Sequence, residues 1–391
     1  MFGSIYVGLS GLNAYSRGLQ QISNNVANLN ASGFKGSTVA FTDLVGVNGN
    51  GGLSYAGAGG GGNGVEIDDT RIDFKQGELR QTDRDLDLAI DGSGFMMLLR
   101  GEEVLYTRTG SFEIDKDGFI VLAGTEYRLA TLDGSGRPVS LSIDVLRTST
   151  PTRTTTIKFA DNLSSTATIY GISDVKVYDA SGQEHIWQIK FDKPVAGVSE
   201  WTITVTDDKS KTIGTQILKF IQDQVDPATN KLVFADTDSG LSVTFDFSEK
   251  VSSFSGGTVS TLRRASTDGY KIGSITSIGV NANGKLEIGY SNEQKKELGP
   301  IAIADFRDPQ ALEQRSGGLF HDPGPAQREI VGSDDKRVGR VLSRRLEASN
   351  VDLAKAFGEL ILIQRGFQAS SQIISVSNDM IQQLFGIRGQ G

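Results

Sequence analysis

The chain has no cysteine. Disulfide staples, thiolate nucleophiles and cysteine-built zinc sites are excluded together. Histidine is almost as scarce. His185 and His321 lie far apart in unrelated contexts and read as two solvent-facing or packed imidazoles. Proline occurs only 8 times in 391 residues, whereas glycine occurs 48 times. No apolar stretch is long enough to span a bilayer, so no membrane partner is expected. The N-terminus lacks the basic start and the uninterrupted apolar core of a Sec-type signal. A basic balance is missing too: 39 Lys and Arg stand against 47 Asp and Glu, for a net charge of −8. Nucleic acid is therefore not an expected partner, because phosphate binding needs a basic face. Charge is scarcest at the N-terminus, where Arg17 is the only charged side chain before Lys35. A helix with so few charges can pack on several sides against protein, because few ions must be desolvated.

What is present is a seven-residue repeat at both ends. Ile5, Leu12, Leu19 and Val26 recur at that spacing, with Tyr15, Ile22 and Leu29 three positions further on. Near the C-terminus Leu353, Leu360, Phe367, Ile374 and Ile381 do the same, followed at three positions by Ala356, Ile363, Ser370, Ser377 and Leu384. A period of seven puts apolar side chains on one narrow helical stripe, and such a stripe needs a partner. The two stripes are expected to pair with each other and with copies of themselves, forming a polymerisation interface. The first helix is expected from about Ser4 to Leu29, stopping near Gly33. The last is expected from about Asn350, capped by Ser349 or Asn350 with Asp352 in the first turn, to about Phe385, where Gly386 can stop it. Gly358 and Gly366 inside it suggest close approach of another backbone, or bending.

Between the helices the chain reads as β-structure. The Gly-rich run 48–64 cannot form a core and reads as a flexible loop or hinge; no Gly-Lys-Ser/Thr follows, so it is not a phosphate loop. Strands are expected at 86–90, 95–99, 111–114, 119–122 and 127–132, with Asp117-Gly118 and Asp133-Gly134 as turns. A second β block runs from 156 to about 247 and a third from 269 to about 306. The Ser/Thr/Gly-rich segments 148–156 and 252–261 look like the crossings into and out of an insertion. The expected fold is α+β, mainly β. Paired terminal helices form a coiled-coil-like rod, with nested antiparallel β domains between them. Residues 1–33 with 347–391 form the helical domain and 34–76 a connector. Residues 77–150 with 262–346 form an inner β domain, and 151–261 the inserted outer one.

No catalytic constellation emerges. Asp83, Asp85 and Asp87 alternate onto one strand face, with Asp91 beyond; a solvated face is the expectation, and a metal site the alternative. Glu113-x-Asp115-x-Asp117-Gly118 imitates the start of a calcium loop, but the twelfth position is Gly124 rather than Glu, so a hairpin turn is expected. No GxSxG is present. Trp187, Trp201, Tyr178 and Phe191 are expected to fill the core of the inserted domain rather than bind a sugar. Neither a cofactor nor a metal is expected.

Several strings then carry a family resemblance. Ser23-Asn24-Asn25-Val26-Ala27-Asn28-Leu29-Asn30-Ala31-Ser32-Gly33-Phe34-Lys35 resembles the N-terminal signature of bacterial flagellar axial proteins, the rod and hook family. Gly77-Glu78-Leu79-Arg80-Gln81-Thr82, Leu86-Asp87-Leu88-Ala89-Ile90, Gly92-Ser93-Gly94-Phe95 and Tyr106-Thr107-Arg108-Thr109-Gly110-Ser111-Phe112 are similar to its next shared blocks. Leu346-Glu347-Ala348-Ser349-Asn350-Val351-Asp352-Leu353 and Gln364-Arg365-Gly366-Phe367-Gln368-Ala369 resemble its C-terminal signature. The signature positions are Asn25, Asn28, Gly33, Phe34, Lys35, Ser349, Asn350, Val351, Asp352, Gln364 and Arg365. The long middle resembles the hook members rather than the shorter rod members, through Phe254-Ser255-Gly256-Gly257, Asp268-Gly269-Tyr270 and Tyr290-Ser291-Asn292. The chain departs from the family pattern at Ala356, where an acid is usual, at Ser370, where Asn is usual, and in the basic stretch Asp334–Arg345.

The resemblance implies a non-enzymatic structural subunit of the hook. Such a subunit leaves the cell unfolded through the flagellar type III export apparatus, without a cleaved signal peptide. It then polymerises outside the cell into a curved, flexible tube that passes motor torque to the filament. Implied partners are copies of itself, rod proteins, the hook cap and the hook–filament junction proteins. A distal rod or other axial subunit of the family is the alternative. From the residues alone, a secreted β-rich adhesin and a carbohydrate-active enzyme also stay open.

Overall fold

The computed structural model describes residues 2–43, 64–68, 70–193, 199–255, 257, 259–324 and 327–388. The Gly-rich run 48–64 lies outside these apart from Gly64, as does Gly256. The chain is mainly β with two long helices, α1 (Phe2–Ala27) and α2 (Leu353–Arg388). It forms two compact units. One comprises 1–144, 278–287 and 297–391; the other comprises 145–277 and 288–296.

The first unit holds both helices and a twelve-stranded sheet. Its spine runs Glu313–Arg315, Leu319–His321, Glu103–Thr107, Phe95–Arg100, Arg128–Leu132, Ile120–Leu122, Thr109–Ile114, Asp87–Asp91 and Arg340–Ser343, with antiparallel pairing. Ala302–Phe306 joins Phe95–Arg100 and carries Arg328–Gly332. Its core is aromatic: Phe95 packs on Phe320 at 5.5 Å and Tyr106 on Phe306 at 4.9 Å, edge to face. Edge-to-face contact suits rings whose edges are positive and faces negative.

The hairpins share one device. Asp115 Oδ1 accepts from the amides of Asp117 (2.9 Å) and Phe119 (2.7 Å). Asp133 does the same for Ser135 (2.8 Å) and Arg137 (2.9 Å), and Asn281 for Asn283 (3.0 Å) and Lys285 (3.1 Å). Three positions after each Asx residue, Gly118, Gly136 and Gly284 have positive φ. The turn is therefore Asx-x-x-Gly, with the side chain imitating a backbone turn. At the second hairpin this moves the special glycine from Gly134 to Gly136.

The second unit is built on a nine-stranded sheet. Glu200–Thr206 shows why it folds: Trp201, Ile203 and Val205 are buried and alternate with half-buried neighbours. Trp187, Ile189 and Phe191 on Glu184–Asp192 repeat the pattern and pack with Phe159, Phe234, Phe245 and Phe247. The two tryptophans and Phe191 lie in the core as expected. Tyr178 does not: it is half-buried on the opposite face from Val177, and its hydroxyl donates to Glu184 Oε2 at 3.4 Å.

The unit departs from a purely antiparallel design. Thr156–Asn162 runs parallel to Leu241–Ser252, with Thr156 opposite Thr244. The intervening chain is long enough for the crossover that parallel strands need. The unit's boundaries also lie outside 151–261, for a physical reason. Arg263–Thr267 pairs with Thr156–Asn162, so the chain is still inside the sheet after Thr261. The incoming and outgoing segments are then zipped together. Thr152 bridges Tyr270, Asp268 Oδ1 accepts from the amides of Thr155 (2.9 Å) and Thr156 (3.0 Å), and Asn292 Nδ2 donates to Ser149 Oγ (2.7 Å) and Lys271 O (2.8 Å). The strings Asp268-Gly269-Tyr270 and Tyr290-Ser291-Asn292 are thus the fasteners of this junction.

Candidate functional site

The two helices lie side by side and antiparallel. A Cβ placed on Gly8 would meet Ile374 Cγ1 at 2.8 Å, on Gly11 Ser370 Oγ at 2.6 Å, and on Gly18 Ile363 Cδ1 at 2.9 Å. Tyr15 fills the space at Gly366, where a Cβ would lie 2.5 Å from its ring. On α1 the buried positions are Gly8, Gly11, Ala14, Gly18, Ile22 and Asn25; on α2 they are Ala356, Ile363, Ser370 and Ser377. Small residues thus occupy the centre of the contact, because the helices approach too closely for large ones. The departures Ala356 and Ser370 both sit here, and Gly11 lies against Ser370.

The apolar stripes read from the sequence flank that centre. Ile5, Leu12, Tyr15, Leu19, Val26 and Leu29 are half-buried, as are Leu360, Ile374 and Ile381. Ile22 and Ile363 are buried. Leu353, Phe367 and Leu384 face outward, off the contact with α1. Gly366 faces a side chain rather than a backbone, and Gly358 has no described neighbour within 4 Å of a would-be Cβ. Much of the remaining α2 surface is apolar and open. Phe357, Ile361, Leu362, Ile373, Val376, Met380 and Phe385 are exposed, with Leu362 and Phe385 at 70% each.

The connector folds back on α1. Ser37–Thr38 pairs with Arg71–Ile72, and Phe41–Asp43 with Val65–Ile67. The Phe41 ring lies 5.2 Å from that of Tyr15.

Where the helices join the β frame, the signature strings converge on a buried charged knot. Lys35 and Glu347 have fully buried side chains and pair at 2.6 Å. Arg108 Nε donates to the other oxygen of Glu347 at 3.3 Å with 2% of its side chain exposed. Each cation is satisfied further: Lys35 Nζ donates to Lys75 O (2.7 Å), and Arg108 to Gly94 O (3.1 Å) and Gly92 O. Burial pushes the Lys35 ammonium below its ordinary pKa; Glu347 opposes that and Arg108 adds to it. Gly77 donates its amide to Glu347 Oε1 at 2.7 Å, and a Cβ there would collide with the Ala348 carbonyl.

Several of the other signature residues tie the segments around the knot together. Asn25 spans Ser37, accepting from its amide (3.1 Å) and donating to its carbonyl (2.8 Å). Gly33 turns the chain with φ +71°, a conformation only glycine adopts cheaply, and donates to Glu347 O at 2.8 Å. Asn350 accepts from Gly36 N (2.8 Å) and donates to Asp73 O (2.6 Å) and Lys75 O (2.9 Å). It is therefore a staple between segments and not the helix cap. The cap is Asp352, whose Oδ1 accepts from the amides of Ala354 (2.8 Å) and Lys355 (3.1 Å). Ser349 Oγ accepts from Val351 N at 3.3 Å, Val351 packs on the helix contact, and Phe34 O accepts from Asn350 N at 3.4 Å. Asn28 bonds back to Asn24 at 2.9 Å. Gln364 and Arg365 are exposed. Sequence reading missed Glu347 and Arg108 as a pair; the signal was that Lys35 and Arg108 are the only charged residues in the strings 23–35 and 106–112.

The acidic run is dispersed. Asp83 and Asp85 lie before the strand, which begins at Asp87. Asp85 pairs with Arg344 at 2.5 Å, and buried Asp87 accepts from Ser111 Oγ. Asp87 is therefore not on a solvated face. Among the described residues no group of three His, Asp or Glu is placed to hold a metal, and no helix is long and apolar enough to cross a membrane.

A terminal helix pair stitched to a β frame, with a second β unit within the chain, defines the class: a mainly β protein with paired terminal helices. Four family models match along it. They are the flagella basal body rod protein (5–35), the flagellar hook protein FlgE/F/G D1 domain (89–162), the flagellar basal body protein FlaE D2 domain (130–306) and the flagellar basal body rod FlgEFG protein C-terminal region (342–387). The flagellar hook protein FlgE of Salmonella typhimurium is 28% identical over 97% of this chain and 98% of its own. The FlgE of Treponema pallidum is 27% identical over 99% and 100%, and that of Rhizobium meliloti 28% over 99% of each. A crystal structure of Helicobacter pylori flagellar hook protein FlgE2 matches in fold with a TM-score of 0.50 and 13% identity, over 69% of this chain and 99% of that one. The chain belongs to the flagellar rod and hook axial protein family and is a structural subunit of the hook type.

Proposed function

We propose that this subunit polymerises into a curved, flexible tube that transmits motor torque to the filament. The observation that carries the reading is the uncovered apolar surface of α2, which continues past the contact with α1 and bears few charges. An exposed apolar patch of this extent marks a protein interface. In this reading α1 and α2 act as a coiled-coil-like pair, and neighbouring copies cover Leu353, Phe367, Leu384 and the residues beside them. The chain works without catalysis. It leaves the cell through the flagellar type III export apparatus without a cleaved signal, and resides outside the cell in the flagellum. It meets rod proteins at one end of the tube, and the hook cap and then junction proteins at the other.

The test replaces Leu362 and Phe367 by Asp in the full chain. A charge buried at every subunit contact costs several kcal/mol each time. Cells should then carry basal bodies without hooks by electron microscopy, while circular dichroism of the purified monomer stays unchanged. Hooks of ordinary length would refute the assignment.

A further inference from the structure

We propose that Glu347 is the residue that positions the helix pair on the β frame, and that it does so through its charge rather than its packing. The inference rests on the assembly reading only in treating the docked helices as the form that assembles.

Glu347 touches every segment that leads into or out of the helices. Its Oε1 accepts from Lys35, which follows α1, and from the Gly77 amide at the end of the connector. Its Oε2 accepts from Arg108 in the sheet. Its own amide donates to Thr109 Oγ1 at 3.0 Å, and its carbonyl accepts from Gly33 at 2.8 Å. Six residues further on, α2 begins.

The charges do not balance. Two buried cations share one buried carboxylate, so these three side chains sum to +1; the half-buried Asp73 close by adds some attraction for Lys35. Without the carboxylate the sum would be +2, with Lys35 and Arg108 repelling each other away from water. Removing one partner of a buried ion pair is costly because the remaining charge stays uncompensated. Here the removal strands two. The frame around Gly33, Lys35 and Gly77 therefore closes only when Glu347 arrives, although it stands 312 residues from Lys35 and 239 from Arg108. Charge thereby couples the docking of the two ends: the N-terminal signature cannot seat stably before the C-terminal one.

Charge and packing make opposite predictions for a double variant. Amide hydrogen exchange at Gly33, Gly36 and Gly77 in the full-length monomer reads the closure locally. Glu347→Gln keeps the shape and should accelerate exchange at all three by about 100-fold or more. Lys35→Met leaves Arg108 and Glu347 as a neutral pair and should accelerate it by about 10-fold or less. Combining the two returns the sum over these three positions to +1, so Lys35→Met should rescue Glu347→Gln, bringing protection back toward the Lys35→Met level. A double variant as open as Glu347→Gln, or more so, overturns the proposal, since lost packing accumulates. Exchange at Ile203 and Val243 in the other unit should stay at wild-type rates in all three variants; acceleration there overturns the assignment to the frame. The measurement needs no hook, so its failure is distinguishable from a failure of the assembly reading.

Discussion

The two units solve the problem of holding a shape in different ways. The second encloses a core of tryptophan, phenylalanine and aliphatic side chains, with Trp187, Trp201, Phe191 and Phe245 fully buried and one buried cation, Lys193, against Trp201. The first has an aromatic core in its sheet, but joins its helices to that sheet through a knot of buried charge and a seam of small residues. It also leaves the outer face of α2 uncovered. Hydrophobic burial is non-directional and builds a unit that stands alone. Buried ion pairs are costly to assemble and strict in geometry, so they fix a register more than they add stability. A subunit that must present its helices at a defined angle gains from the second arrangement where the helices attach, and from the first elsewhere.

The largest effect should come from breaking the core of the second unit. Trp201→Ala removes a fully buried ring and should cost about 3–5 kcal/mol. Calorimetry of the full chain should show the transition of that unit lowered or lost while the other stays in place. A uniform shift of a single transition would show that the units are not energetically separate.

Next comes the helix seam. Gly366→Leu forces a side chain into the space of the Tyr15 ring. Overpacking of this kind costs about 1–3 kcal/mol. Helix content at 222 nm should fall in the monomer, whereas Gly358→Leu, at a position with no described neighbour, should preserve or raise it. Equal behaviour of the two would place the seam elsewhere.

The smallest effect concerns acid. In the second unit Asp179 is held well below the ordinary carboxylate value, to about 2, first by the Ser181 hydroxyl and then by the Gln183 amide and His185. A depressed carboxylate contributes stability that is complete above its unfolded pKa of about 3.9 and is lost as pH falls toward 2. Asp179→Asn should flatten the pH dependence of that unit's melting temperature between about pH 4 and 2, and leave the first unit's unchanged. An unaltered slope would show that other carboxylates govern acid unfolding.

Much of the β framework was legible in the sequence. The strands expected at 86–90, 95–99 and 127–132 lie within one or two residues of Asp87–Asp91, Phe95–Arg100 and Arg128–Leu132. Both helices were legible, although α1 ends at Ala27 and α2 continues past Gly386 to Arg388. The stripe was only partly so. Counting large apolar residues found its flanks, Leu12 and Leu19, and passed over Gly8, Gly11 and Gly18 at its centre. A pattern of hydrophobicity marks what needs burial; it does not mark what must be small.

The sequence by itself determined the local elements and the family signatures. A turn such as Asp115-x-x-Gly118 depends on a few neighbouring residues, and strand alternation such as Trp201, Ile203, Val205 on a few more, so both are written in short stretches of chain. The tertiary structure alone decided that Thr156–Asn162 runs parallel to its neighbour and that the second unit ends at Ser277 with an outlying piece at 288–296. It also decided that Asn350 staples while Asp352 caps, and that Lys35, Arg108 and Glu347 meet. Each of these depends on which distant segments come together, and a buried charge has no partner until the chain between them has folded.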